Sequence, residues 1–328
     1  MEEIGEIESK KWWSAGGVKE IFKHRLLFMA KYAVGLIILG WLLWRFDYRQ
    51  IAGAISSFSL HVIIGTALIS ATNLSLQFYR WQYLIYHHSN DYEKQDLIPS
   101  FFAGFAFRLM IPGGHAEISK IFLIPGKKTG KIFAFGLEKY FETYIKFVFI
   151  LLALPVVFAE YRLWLWPGAL AGITVYFFLP AIMEKDFLGR YQEKEVNYHR
   201  VFSRVLLFSL GVFTCLVLQY YFLLNDKHSI GLLDTVLTAV FLWGAGLIPI
   251  SVSGLGVRES FAVYFLGRLG IGAPIAVGVS LFVFSLNVLL PALIGVIFIY
   301  RRRKYLNEAG VNIKEATKTL YQNWNRDK

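Results

Sequence analysis

The chain has 328 residues, of which 56% are hydrophobic and 17% are charged, and its mean hydropathy is +0.48. This composition is typical of a membrane protein with several spans and excludes an ordinary soluble enzyme. The formal net charge is +11, but the cations cluster beside apolar runs, which favours membrane topology over nucleic-acid binding. A single cysteine, Cys215, excludes an intrachain disulfide.

Residues 1–25 are polar and basic, and we predict that they form a cytoplasmic segment at the membrane interface. The apolar run that follows has no small-residue cleavage site, which predicts an uncleaved span instead of a signal peptide. We predict an all-α, polytopic membrane protein with six full spans, because a span needs about 20 apolar residues. The spans are residues 26–44, 60–79, 139–158, 163–183, 205–224 and 275–299. They form one transmembrane domain, residues 26–304, which precedes a cytoplasmic tail, residues 305–328.

Two other apolar segments are interrupted before they could cross a bilayer. Residues 97–109 are followed by a break at 111–114 and by a second helical pattern at 116–124. Residues 235–246 are followed by a break at 249–256 and a return at 257–269. Since each part is about half the length of a span, the pattern predicts two re-entrant helical hairpins.

The two hairpins share a local motif and are predicted to enter from opposite faces of the membrane. Gly114-x-x-Glu117 in the first matches Gly256-x-x-Glu259 in the second. Inverted repeats whose broken helices meet near the bilayer midplane are a common build of secondary transporters. The motif therefore indicates an inverted repeat.

The topology also divides the basic residues unequally. It assigns 26 of the 34 Lys and Arg residues to one side and four to the other. Cytoplasmic loops are enriched in Lys and Arg, so this side is predicted to be cytoplasmic. We therefore expect a multi-pass protein of the cell membrane with both termini in the cytoplasm.

The second break carries most of the candidate binding residues. Ser253, Gly254, Gly256, Arg258 and Glu259 lie within seven positions. Irregular backbone at membrane depth is tolerated only where it is buried in protein or lines a wet cavity, and charges there are usually functional. A helix that begins near Gly256 would direct free N–H groups towards an anion. The alternative is a loop at the membrane surface, with Arg258 among the lipid headgroups.

Further candidates lie in the first hairpin and the neighbouring spans. Arg80 follows Asn73 and Gln77 on one helical face, which should look inward unless Arg80 snorkels to the surface. Glu142 precedes Lys146 in the favourable i, i+4 order, within the bilayer or at its cytoplasmic edge. The full set of these candidates is Arg80, Arg108, Gly113, Gly114, Glu117 and Glu142.

Two motifs resemble the transmembrane, flippase-like domain of the lysylphosphatidylglycerol synthase family. They are IPGGHAE at residues 111–117, followed by Lys120, and PISVSGLGVRE at residues 249–259. The resemblance covers residues 20–304 and differs at His115, where family members often have another residue. It implies movement of an anionic or lysyl-modified phospholipid between leaflets. A full-length synthase continues into a cytoplasmic transferase domain, so aminoacyl transfer is not expected of a chain that stops at Lys328.

These patterns predict a transporter or flippase for a lipid-linked or other amphiphilic anion. It would work by alternating access, with Glu117 and Glu259 pairing with arginines or carrying protons. We expect membrane lipids as partners, with no cofactor, metal or nucleic acid. An alternative is an intramembrane lipid-modifying enzyme that uses His115. The adjacent histidines His87 and His88 are not candidates for this role, because they are expected in a loop. Another is a membrane scaffold that partners a separate synthase or glycosyltransferase.

Overall fold

A computed structural model describes residues 37, 40, 41, 44, 48–110, 114–183, 194, 196–248 and 252–302, excluding the side chains of 114–116 and 252. Within these residues every regular element is helical, which confirms the all-α prediction. The helices are α1 (Tyr48–Ser56), α2 (Leu60–His88), α3 (Lys94–Met110), a 3₁₀ helix (Gly114–Leu123), α4 (Thr129–Val157), α5 (Arg162–Met183), α6 (Tyr198–Asn225), α7 (Leu232–Gly244), α8 (Val257–Gly267) and α9 (Ala273–Arg301).

Five of these helices, α2, α4, α5, α6 and α9, are long and apolar enough to cross a membrane. They correspond to five of the six predicted spans, and the polytopic membrane fold is confirmed. The remaining predicted span, residues 26–44, lies outside the described residues apart from four helical positions. The predicted terminal segments, 1–25 and 305–328, also lie outside them.

The helices that contain the predicted spans continue beyond their most apolar parts. α4 begins at Thr129 and α6 at Tyr198, ten and seven residues before the predicted spans that they contain. α2 continues to His88, so the prediction that His87 and His88 lie in a loop was wrong. His88 is fully buried, and its Nδ1 atom lies 2.7 Å from the Leu84 carbonyl oxygen. Polar residues in the terminal turns of these helices, such as His88 and Tyr198, are buried in the protein. Their burial stabilises the helix beyond its apolar run.

The first hairpin consists of α3 and the 3₁₀ helix, and it lies along the C-terminal half of α9. Asp96, at the start of α3, pairs with Arg302, directly after the end of α9. Further along, the rings of Phe102 and Phe298 stack with centroids 6.1 Å apart. A Cβ atom on Gly295 would lie 2.1 Å from the Phe102 carbonyl oxygen, so only glycine permits this approach. α3 therefore runs from the end of α9 towards its middle.

The second hairpin consists of α7 and α8, and α8 packs on the N-terminal half of α9. At the start of α8, the Arg258 guanidinium lies 4.5 Å from the centre of the Phe284 ring. Next to it, the Ser280 hydroxyl donates a 3.0 Å hydrogen bond to the Glu259 carboxylate. α8 ends at Gly267, a few residues before α9 begins. The two hairpins thus reach the middle of α9 from opposite ends, as the sequence predicted.

The second break requires unusual backbone conformations. Ser253, Gly254 and Gly256 have φ angles of 53°, 77° and 82°. Glycine adopts positive φ without steric cost, whereas serine at such an angle is strained. Gly254 also faces the backbone of Gly246, where an added Cβ would lie 3.5 Å from the Gly246 Cα atom. These residues allow the chain to reverse direction where the backbone of Gly246 lies next to the turn.

A π-helical turn, Ser285–Leu289, interrupts α9 between its contacts with the two hairpins. π-turns within α-helices occur frequently at functional sites. Within it, the Asn287 amide donates to the Gln219 side-chain oxygen at 2.6 Å and accepts from the Ser70 hydroxyl at 2.7 Å. This polar contact joins α2, α6 and α9 in the interior of the bundle.

Candidate functional site

A cavity of about 270 Å³ lies where the two hairpins meet at the middle of α9. Helices α2, α3, α4, α6, α7, α8 and α9 and the 3₁₀ helix contribute its walls. The charged residues of its lining are Arg80, Arg108, Glu117, Lys139, Glu142, Lys146 and Arg258. Its uncharged polar lining residues are Asn73, Gln77, Thr143, Tyr220, Ser253 and Asn287. Residues of both hairpins therefore line one polar cavity.

Another part of the wall is apolar. Its larger members are Phe105, Leu216, Leu242, Trp243, Leu247, Val283 and Phe284. The Lys146 ammonium lies 5.2 Å from the centre of the Trp243 ring, where the charged and apolar parts adjoin. A guest with a charged group and an apolar group could thus satisfy both parts of the wall.

Lys139 links the first hairpin to α4. Its ammonium lies 2.7 Å from the Glu117 carboxylate of the hairpin and 2.7 Å from the Glu142 carboxylate of α4. Glu142 also pairs with Lys146 at 2.8 Å, as the i, i+4 order predicted. Glu117 pairs with Lys120 at 3.3 Å. Among the described residues Glu117 therefore forms ion pairs with lysines, and the alternative that it carries protons stays a prediction.

Further charged residues extend from Arg80 of this wall into the protein. Lys120 is buried, pairs with Glu138, and lies 4.0 Å from the centre of the Trp81 ring. Arg80 is 3% exposed and lies 3.9 Å from Glu138. It also donates a 3.0 Å hydrogen bond to the Ser209 hydroxyl. Arg80 thus points into the protein, and the snorkelling alternative does not hold.

The N-terminus of α8 is capped by its own carboxylate. Glu259 is fully buried and accepts a 2.7 Å hydrogen bond from the Gly256 amide. The same carboxylate pairs with Arg258 and accepts from the Ser280 hydroxyl. The predicted pairing of Glu259 with an arginine is therefore present. The Gly256 amide is therefore bonded within the protein, and anion binding by the other N–H groups at the start of α8 stays a prediction.

Two arginines in the cavity wall retain donors that have no partner among the described residues. The Nε atoms of Arg80 and Arg108 are buried and donate to no acceptor in the described part of the chain. Arg108 forms no ion pair there, and its guanidinium lies 5.1 Å from the centre of the Phe105 ring. A buried donor without an acceptor costs about 1–3 kcal/mol. An acceptor in the cavity would therefore be stabilising.

Cations outnumber carboxylates around the cavity in the described structure. The cations are Arg80, Arg108, Lys120, Lys139, Lys146 and Arg258, and the carboxylates are Glu117, Glu138, Glu142 and Glu259. Six positive and four negative side chains leave a formal net charge of +2. Uncompensated charge at membrane depth is costly unless it serves a guest of opposite sign. The site is suited to an anion.

The predicted binding residues divide into three groups. Those that line the cavity are Arg80, Arg108, Glu117, Glu142, Ser253 and Arg258. Gly254, Gly256 and Glu259 form the turn and cap that hold Arg258 in place. Gly114 begins the 3₁₀ helix, and Gly113 lies outside the described residues.

Several wall residues were not among those predicted, above all Lys139 and Lys146 of α4. In the sequence they belong to a series of charged residues at positions 138, 139, 142 and 146. Spacings of three and four place such charges on neighbouring turns of one face. Of these four residues only Glu142 is a predicted binding residue, and its pairing with Lys146 is predicted as well.

Within the described ranges no group of three or more His, Cys, Asp or Glu side chains could hold a metal ion. The side chain of His115 lies outside the described part of the structure.

The family model of the lysylphosphatidylglycerol synthase TM region matches residues 28–295 of this chain. No curated protein matches the sequence.

Proposed function

We propose that this chain, a member of the lysylphosphatidylglycerol synthase TM region family, is a transporter or flippase for a lipid-linked or other amphiphilic anion. The guest would occupy the cavity between the two hairpins. The basic side of the protein would face the cytoplasm in the cell membrane, with both termini on that side.

The observation that carries this proposal is the excess of cations in a cavity between two opposed broken helices. Broken helices that meet in the interior are a common build of transporter binding sites. Arg80, which lines the cavity, is 3% exposed, so this cation lies inside the bundle and not on its outer surface. Its adjoining charged and apolar walls suit an amphiphile.

Each charged residue has a distinct role in the proposed mechanism. Arg108 and Arg258 would contact the anionic group from the first and the second hairpin. Glu259 would hold Arg258 in position through their ion pair. Because each hairpin contributes one arginine, binding of the anion would draw the two hairpins together.

Alternating access follows from this arrangement. The first hairpin is joined to α4 by the pair between Glu117 and Lys139. An anion that attracts Lys139 would weaken this pair, so that the hairpin could move while the guest stays bound. The second hairpin, which reaches α9 from the other end, would open to the opposite face.

The test is a leaflet-exposure assay in proteoliposomes that contain a fluorescent anionic phospholipid. Wild-type protein is expected to raise the rate at which the label reaches the outer leaflet, where dithionite bleaches it. Arg108→Gln and Arg258→Gln should each reduce this rate at least about tenfold, because each removes a charge-assisted contact with the anion.

The matched control is Arg268→Gln, since Arg268 follows α8 and lies over Tyr264 away from the cavity. It should flip lipid at the wild-type rate. All variants must insert in equal amounts and elute as one species in size-exclusion chromatography. Equal rates for wild type, Arg108→Gln and Arg258→Gln would refute the proposed role of the cavity.

A further inference from the structure

We infer that the guest presents a phosphoryl group with two negative charges, either a phosphate monoester or a diphosphate, at the head of a lipid. A singly charged phosphodiester headgroup would be the weaker ligand. This inference rests on the proposed function and narrows its substrate class.

The first argument is charge balance. The side chains around the cavity have a formal net charge of +2 in the described structure. Placing charge in a low-dielectric interior is costly unless it is paired. A guest with two negative charges neutralises the site, whereas a phosphodiester leaves one positive charge uncompensated.

The second argument is independent of the count and concerns unused donors. All four carboxylates are already engaged, for example Glu142 by Lys139 and Lys146. Arg80 and Arg108 alone among the cations of this cluster have a buried Nε donor without a partner in the described residues. A phosphoryl group offers three strong acceptor oxygens. Both arginines line the cavity, so a phosphoryl group there would have two guanidinium groups as candidate donors.

The third argument concerns size. A cavity of about 270 Å³ lies at the lower end of the range for small-molecule pockets, roughly 300–1,000 Å³. This volume accommodates a phosphate or diphosphate with a few neighbouring atoms, but not a pair of acyl chains. Most of the hydrocarbon part of the guest then lies outside the cavity, and the apolar wall contacts only the atoms next to the headgroup. Recognition therefore depends on the headgroup and these atoms and not on chain length.

The experiment measures binding to the purified full-length chain in detergent by calorimetry. Two short-chain probes differ only at the phosphate: dihexanoyl phosphatidic acid is a monoester, and dihexanoyl phosphatidylglycerol is a diester. At pH 8 the monoester should bind at least about tenfold more tightly. At pH 5 this preference should largely disappear, because the second phosphate pKa is about 6.

Two variants test the source of the preference. Arg80→Gln and Arg108→Gln should each lower affinity for the monoester more than for the diester, so that the ratio of the two affinities falls. Arg204→Gln is the matched control, because Arg204 lies over the Tyr83 ring, 5.5 Å from its centre, and does not line the cavity. It should keep the wild-type ratio.

A third probe, glycerol 3-phosphate, separates a lipid from a water-soluble phosphate. It should bind more weakly than the lipid monoester, and equal affinity would overturn the assignment to a lipid. Equal affinity for monoester and diester at pH 8, in protein that still flips lipid, would overturn this inference alone. Absence of binding for both lipid probes together with absence of flipping would overturn the proposed function as well.

Discussion

The Lys139 ammonium lies 2.7 Å from the Glu117 carboxylate, and this ion pair joins the first hairpin to α4. Both groups belong to a continuous network that also includes Lys120 and Glu142. Removing one partner leaves the other buried without compensation, which is more costly than never having had the pair. The position of the first hairpin therefore depends on this contact.

Glu117→Gln should destabilise the folded protein. We expect a loss of about 3 kcal/mol, because Lys139 and Lys120 lose a carboxylate that they share. The measurement is the midpoint of thermal unfolding in detergent. Lys227→Gln is the control, since its ammonium is half-exposed and lies 3.9 Å from Asp226. Identical midpoints for Glu117→Gln and wild type would show that the hairpin is held by other contacts.

Gly295→Ala should disrupt the packing of α3 against α9. The added Cβ atom would lie 2.1 Å from the Phe102 carbonyl oxygen, a backbone atom that cannot turn away. We expect loss of the monodisperse peak in size-exclusion chromatography. Gly136→Ala, an exposed position on α4 with open space around it, should leave that peak unchanged. A stable Gly295→Ala protein would mean that the two helices are farther apart.

Glu259→Gln should weaken the second break. The substitution removes the charge that pairs with Arg258 and weakens the cap on the Gly256 amide. Because Glu259 is fully buried, we expect a destabilisation of about 3 kcal/mol in thermal unfolding. Glu160→Gln, at an exposed turn, serves as the control. If both variants unfold at the wild-type temperature, Glu259 does not hold Arg258 in place.

The contact between Ser59 and Asp226 should give stability that depends on pH. The Ser59 hydroxyl and amide donate to Asp226 at 2.7 and 2.9 Å, and these bonds lower the pKa of Asp226 below its ordinary value of 3.8. A lowered folded-state pKa stabilises the fold above the unfolded-state value, and this contribution is lost as the pH falls through the folded-state pKa.

Ser59→Ala should therefore be less stable than wild type at pH 7. The difference should shrink as the pH falls below 3.8, the ordinary Asp226 value. Chemical unfolding in detergent across this pH range measures it, and Ser57→Ala, an exposed residue on the same connection, is the control. A difference that is independent of pH would exclude the Asp226 carboxylate as the cause.

Much of the fold could be predicted because apolar run length and glycine-rich breaks are local properties. The hairpins were predicted from segments too short to cross, such as residues 97–109, and from turn residues such as Gly254. Their opposed direction followed from the order of the spans. Helix ends were not predictable in this way, because burial of His88 and Tyr198 extends α2 and α6 beyond their apolar runs.

The cavity was predicted only in part because its contacts are between distant positions. Arg80, Arg108 and Arg258 were selected as charges within apolar sequence. That Glu117 would pair with Lys139 depends on how the first hairpin packs against α4, which no local pattern specifies. The same holds for the Gly256 amide, which donates to the Glu259 carboxylate.

The central claim is that the cavity between the two hairpins holds an anionic lipid headgroup. An experimental structure of the protein in nanodiscs of anionic phospholipid tests it most directly. We predict headgroup density in contact with both Arg108 and Arg258, with the hydrocarbon chains outside the cavity. A cavity that is closed by protein side chains, with Arg108 paired to a carboxylate of the chain and the lipid confined to the outer surface, would contradict the claim.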